Sequence, residues 1–135
     1  MSIQYLLDTN TVSYILKGKF PRIRERLLKV PLSSMTVSAV TEAELRFGVA
    51  RLPQASKIGL AVEEFLVRVP ALPWDSAAAA KYGLLRAALE REGSPMGNMD
   101  LMIAAHALAA GMTLVTSDRV FRRVEGLKIE DWTKA

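Results

Sequence analysis

Five short apolar runs, separated by longer stretches of helical periodicity, organise the chain. Ile3–Leu7 is an apolar run that ends at Asp8 and leads into Thr9-Asn10, the pattern of a buried parallel strand feeding a helix. Met35–Ser38 and Thr113–Thr116 are further strand candidates. Val67–Leu72 is bounded by Pro70 and Pro73, which predicts a short strand or one at a sheet edge. Leu127–Ile129 is a fifth candidate. Between these runs the pattern is helical over 10–17, 20–29, 39–51, 55–66, 75–92 and 100–110. Asp75 stands where an N-cap belongs, Gly93 and Gly111 where C-caps belong, and 94–98 reads as a turn. Strands alternating with helices predict the α/β class: a three-layer α/β/α domain around a mostly parallel sheet of four to five strands. No repeat or low-complexity linker divides it, so residues 1–135 read as a single domain.

Composition narrows the chemistry. There is no Cys and a single His, His106, which removes thiol nucleophiles, disulfide frameworks, Cys-based metal sites, the usual catalytic triads and multi-His centres. Carboxylates, hydroxyls, Lys and Arg remain. The apolar runs fall well short of the roughly 18 residues that cross a bilayer, and Gln4 and Asp8 interrupt any leader-like core, so the expectation is a soluble, cytoplasmic, unprocessed protein with no membrane partner. Net charge is +4, and Lys17, Lys19, Arg22, Arg24, Arg26 and Lys29 are concentrated in one short segment. Such a run suits a polyanion, or is simply a solvated helix face.

In parallel α/β domains ligands bind beyond the carboxyl ends of the strands, where the order of connection reverses. Asp8 ends the first strand candidate, Asp118 follows the fourth, and Asp100 opens the helix leading into the fourth. Glu44 lies on the helix leaving the second strand, close enough to its start to reach the same cleft. Gathered together without a counter-charge, four carboxylates repel one another and favour protonation, which a divalent cation relieves. All-oxygen donors suit Mg²⁺ or Mn²⁺, which commonly complete their shells with water and phosphate oxygens. The chemistry this points to is metal-assisted phosphodiester hydrolysis. Each acid also has a plainer reading: Asp8 and Asp100 as helix caps, Asp118 as a turn residue, Glu44 as a solvated helical glutamate. Glu42 competes with Glu44, since the two lie about 160° apart on a helix and cannot share a cleft. Periodicity leaves that choice open, because both sit beside apolar faces.

Leu6-Leu7-Asp8-Thr9-Asn10, then Val40–Gly48, then Gly97–Ala107, then Val115-Thr116-Ser117-Asp118 resemble, in order and spacing, the PIN-domain ribonucleases, and most closely the VapC toxins of toxin–antitoxin pairs. The likeness runs through Glu130-Asp131-Trp132 and covers nearly the whole chain. It implies that Asp8, Glu44, Asp100 and Asp118 form an acidic quartet holding Mg²⁺ or Mn²⁺, and it selects Glu44 over Glu42. Asp8 and Asp100 are then the principal ligands, Glu44 a ligand or positioner of water, and Asp118 peripheral. Thr9, Asn10, Thr116 and Ser117 match supporting positions. The family implies an endoribonuclease cutting structured RNA, such as a tRNA or rRNA loop, and thereby inhibiting translation. It further implies a homodimer and a cognate VapB-like antitoxin. Lys17, Arg46 and Arg119 are the candidates for contacting the RNA backbone.

Other readings are weaker on the residues. A receiver domain wants paired acids and a suitably placed Lys, which Lys81 and Lys128 do not supply; a haloacid-dehalogenase phosphatase wants an acid where Asn10 stands. A non-catalytic RNA- or antitoxin-binding module on the same fold is the remaining alternative. His106 is expected to be a satisfied structural residue, turned away from Asp100 on its helix, and Trp74 and Trp132 to be packing residues.

Overall fold

The computed structural model describes residues 3–53 and 56–134. Its sheet consists of β1 (Tyr5–Leu7), β2 (Met35–Ser38), β3 (Ala71–Leu72), β4 (Thr113–Val115) and β5 (Ile129–Glu130). All are parallel, in the order β3-β2-β1-β4-β5. Tyr5, Leu6 and Leu7 pair with Met35, Thr36 and Val37 on one side and with Thr113, Leu114 and Val115 on the other. Successive strands move outward from β1 in one direction and then return to its opposite side. The connection order therefore reverses between β1 and β4, and that crevice is where this architecture binds ligands.

Among the described residues, the helices are α1 (Thr9–Lys17), α2 (Pro21–Lys29), α3 (Ala39–Ala50), α4 (Lys57–Arg68), α5 (Ser76–Arg91) and α6 (Asn98–Ala110). Side chains alternate across the strands, and each face of the sheet is covered. Tyr5, Leu7, Val37 and Val115 pack with Val12, Ile23, Leu45 and Val62 under α1–α4. Leu6 and Leu114 pack with Leu89, Leu101, Ile103, Ala104 and Phe121 under α5, α6 and a short 3-10 helix, Arg119–Arg123. The three-layer α/β/α expectation holds, with five strands rather than four.

Boundaries moved where local signals were ambiguous. The expected strand over 67–72 shrinks to two residues, because α4 runs on to Arg68 and leaves Val67 82% exposed. The run 55–66 begins as helix at Lys57; Ala55 lies outside the described residues. The last strand is Ile129–Glu130 rather than 127–129. α6 starts at Asn98 with Gly97 as its N-cap, so Asp100 sits in the first turn and does not cap the helix. Asp75 caps α5, accepting from the Ala78 amide, and Gly111 ends α6 at φ 66°, a left-handed conformation that a side chain disfavours.

Candidate active site at the carboxyl edge of the sheet

Asp8 occupies the exit of β1 and is 3% exposed. Its amide donates to the Val115 carbonyl (3.1 Å), extending the β1–β4 ladder by one residue. Its Oδ1 accepts from the Thr11 amide at 2.8 Å and caps α1, while the Thr11 hydroxyl donates to the Val115 carbonyl at 3.1 Å. The capping role and the site role are thus compatible, since the cap engages one carboxylate oxygen. Burial holds the Asp8 carboxyl above its ordinary value; hydrogen bonding from Thr116 and Thr11 pulls it back, and the nearby Asp118 charge pushes it further up.

Asp100, half-buried on α6, is likewise raised, first by burial and then by the negative charges of Asp118, Glu44 and Asp8. All four acids therefore act on one space although they come from four separate segments. Among the described residues no three His, Asp or Glu side chains close into a ready-made metal cage. The donors form an open rim instead. Its chemistry fits Mg²⁺ or Mn²⁺, which keep several waters and do not require an all-protein cage, and the mutual destabilisation of the anions is what such an ion removes.

Glu44 is fixed from across the crevice. The Thr9 hydroxyl on α1 lies 2.6 Å from Glu44 Oε1 and 3.2 Å from the Thr41 hydroxyl, one turn before Glu44 on α3. Donating to the carboxylate occupies the Thr9 proton, and the Thr41 hydroxyl then serves as donor to Thr9. Thr41 is fully buried. It was not singled out in the sequence, although its i−3 spacing from Glu44 places both on one helix face. The structure also separates the competing glutamates, because Glu42 is engaged by Arg46 Nε at 2.9 Å.

That pairing corrects the expectation for Arg46. Its guanidinium bridges Glu42 and, at 2.7 Å, Glu63 on α4, so it is a surface clasp between helices rather than a free cation beside the acids. Asp118 is exposed and caps the 3-10 helix by accepting from the Val120 amide, and its own amide donates to the Thr116 hydroxyl at 3.0 Å. Thr116 is buried under this loop, and Ser117 is half-buried beside it. Asn10, Lys17 and Arg119 are exposed, and among the described residues none of their side chains is hydrogen-bonded or ion-paired within the chain. His106 is buried, its Nδ1 2.8 Å from the Ser38 hydroxyl that caps α3, and burial lowers its basicity, as expected of a structural histidine. Trp132 packs edge-on against Tyr5 and donates to Glu130, while Trp74 donates to the Met102 carbonyl.

A parallel five-stranded sheet with carboxylates converging at its switch point defines the class. The PIN domain family model matches residues 5–127, and the chain belongs to that family. Relatives within it include VapC proteins. The chain is 39% identical over 131 residues to a tRNA(fMet)-specific endonuclease VapC of Salmonella typhimurium, covering 96% of this chain and 98% of that one. It is 35% identical over 131 residues to ribonuclease VapC2 of Haemophilus influenzae, with the same coverage. The VapC chain in the crystal structure of DNA-bound VapBC from Salmonella typhimurium superposes with a TM-score of 0.89 at 39% identity, over 97% of this chain and 99% of that one. VapBC2 of Rickettsia felis, bound to a promoter DNA fragment, gives 0.84 at 31% identity over 96% and 99%.

Proposed function

We propose that this protein is a VapC-type endoribonuclease toxin that hydrolyses phosphodiester bonds in structured RNA with Mg²⁺ or Mn²⁺, and that a cognate VapB-like antitoxin neutralises it. The observation carrying this reading is the convergence of Asp8, Glu44, Asp100 and Asp118 on one crevice, with two of them held above their ordinary carboxyl values. A divalent ion bound there would supply charge neutralisation and polarisation of the scissile phosphate. Asp8 and Asp100 would hold it, and Asp118 would contribute from the rim. Glu44, its Oε1 fixed by Thr9, keeps Oε2 free to orient the attacking water and accept its proton. Thr116 and Ser117 support the Asp118 loop, Asn10 lines the hollow beside Glu44, and Arg119 follows Asp118 at the start of the 3-10 helix.

Relatives named for tRNA(fMet) favour initiator tRNA as the first substrate to test, with arrested translation as the consequence. Neighbours solved as VapBC complexes support the antitoxin partner. Among the described residues no helix is long and apolar enough to cross a membrane. We read the active form as a homodimer, which light scattering on purified protein tests directly.

The deciding experiment incubates antitoxin-free protein with total RNA and with initiator tRNA, in Mg²⁺, Mn²⁺ or EDTA, beside Asp100→Asn. Discrete cuts that need the metal and vanish in the variant support the nuclease. Cuts that persist in EDTA or in the variant refute it, and absence of cuts with intact RNA binding favours the non-catalytic module.

A further inference from the structure

A trough leads away from the acids between α1 and α3, with α4 beneath it. It encloses about 310 Å³, within the range of small-ligand sites, and shares Thr9, Asn10 and Glu44 with the carboxylate crevice. Its floor is apolar: Leu45, Val49, Ile58 and Val62. Gly48 lies in the last turn of α3, and a Cβ there would meet nothing within 4 Å, so the space over the floor is open. Both walls change character along their length. α1 and α3 start near the acidic edge, and seven residues beyond Asn10 and Glu44 they present Lys17 and Arg51 at the far end of the trough.

At 1.5 Å per residue, those cations stand roughly 10 Å from the acidic end, on the order of one or two nucleotides of extended strand. Among the described residues neither is held in an ion pair; Arg51 rests over the Phe47 ring at 4.9 Å. The cation-rich hollow beside α2 is different in kind, because Arg26 is committed to Glu130 and Arg22 to Glu25.

We propose that this trough is an RNA subsite that receives an unpaired nucleotide next to the cleaved bond, its base on the apolar floor and its outer phosphate at Lys17 and Arg51. The inference rests on the nuclease reading and adds to it: the substrate must present a splayed, single-stranded nucleotide beside the cut, since a paired base cannot reach the floor. A positive end and an apolar floor adjoining a phosphodiester site complement a nucleotide on all three counts.

The test uses the whole protein with Mg²⁺ and initiator tRNA. Once the wild-type cut is mapped, an abasic nucleotide is placed in turn on either side of it. On one side the abasic substrate should raise the wild-type KM about tenfold, the scale of losing one modest contact, with a smaller effect on kcat. Gly48→Leu, which fills the trough, should raise KM similarly and show no further loss with the abasic substrate. Lys17→Ala combined with Arg51→Ala should shallow the slope of log(kcat/KM) against log salt by about 1 to 2. Gly48→Ala checks the helix and should melt at or above wild type.

The inference is overturned if Gly48→Leu cleaves with the wild-type KM, or if abasic substitution costs that variant as much as it costs the wild type. Retained cleavage with lost antitoxin binding assigns the trough to a peptide partner and likewise overturns it. Failure of the wild type to cut any RNA bears on the nuclease reading instead. Binding of labelled initiator tRNA to Asp100→Asn, with and without Gly48→Leu, then still decides the trough, and equal affinities overturn the subsite.

Discussion

Thr9 carries a disproportionate share of the site's order, and Thr9→Val isolates it. The substitution preserves shape and deletes one hydroxyl that spans α1 and α3, 2.6 Å from Glu44 Oε1 and 3.2 Å from Thr41 Oγ1. A hydrogen bond to a charged group contributes about 1.5–3 kcal/mol, and the half-exposed position of Glu44 puts this one at the low end. The fully buried Thr41 hydroxyl loses its partner as well, which costs roughly another 1 kcal/mol. Freed from the donor, however, Glu44 swings toward water and recovers part of this. The expected net loss is therefore about 2 kcal/mol, or a fall of about 7 °C in melting temperature for a chain of this length.

Urea unfolding of Thr9→Val, Thr41→Val and the double variant, all without metal, measures the coupling. The double variant should be less destabilised than the sum of the singles, by on the order of 1 kcal/mol, because removing both hydroxyls leaves neither unpaired. With the carboxylate unanchored, RNA cleavage by Thr9→Val should fall by tenfold or more, chiefly in kcat. A loss below about 0.5 kcal/mol with additive singles would refute the claim that this bridge fixes Glu44.

Three further outcomes follow from the same structure. Asp100 is raised above 3.8 in the fold, so between that value and its folded value the native protein holds a proton that the unfolded chain releases. Its contribution to stability declines as pH rises through this window, and Asp100→Asn should melt higher than wild type at pH 7 without metal and show a flatter pH dependence in differential scanning fluorimetry. Magnesium should reverse that ranking by stabilising only the wild type, by about 2.7 kcal/mol at a hundredfold excess over Kd; an equal shift in Asp100→Asn would show that binding does not use this carboxylate. His106 titrates in the opposite sense: its basicity is lowered from 6.5, so the unfolded chain takes up the proton first and stability falls as pH drops below about 6.5. His106→Asn should remove that decline in urea titrations between pH 5 and 7.

Unlike the order of the strands, the parallel character of the sheet, the burial of β1 and the placement of acids at strand exits were legible in the sequence. They depend on local periodicity and on the general rule for where such sheets bind ligands, as Leu6-Leu7-Asp8 shows. The shortness and edge position of the third strand were legible too, from Pro70 and Pro73; its start was not, because Val67 and Leu72 look alike as apolar residues, whereas α4 ends only after Arg68. Periodicity likewise left Glu42 and Glu44 equivalent.

What separates those two glutamates is tertiary. Arg46 and Glu63 draw Glu42 to the outer surface, while Thr9, 35 positions away in sequence, anchors Glu44 in the crevice. The same contacts removed Arg46 from the phosphate-binding candidates. The chain thus specifies its elements through short-range patterning that any segment carries by itself, while the choice of Glu44 over Glu42 came from the resemblance and not from that patterning. Which carboxylate faces the crevice depends on charges and hydroxyls brought together across the sheet. Coulombic and hydrogen-bond terms act over a few ångströms of space, whatever the separation along the chain.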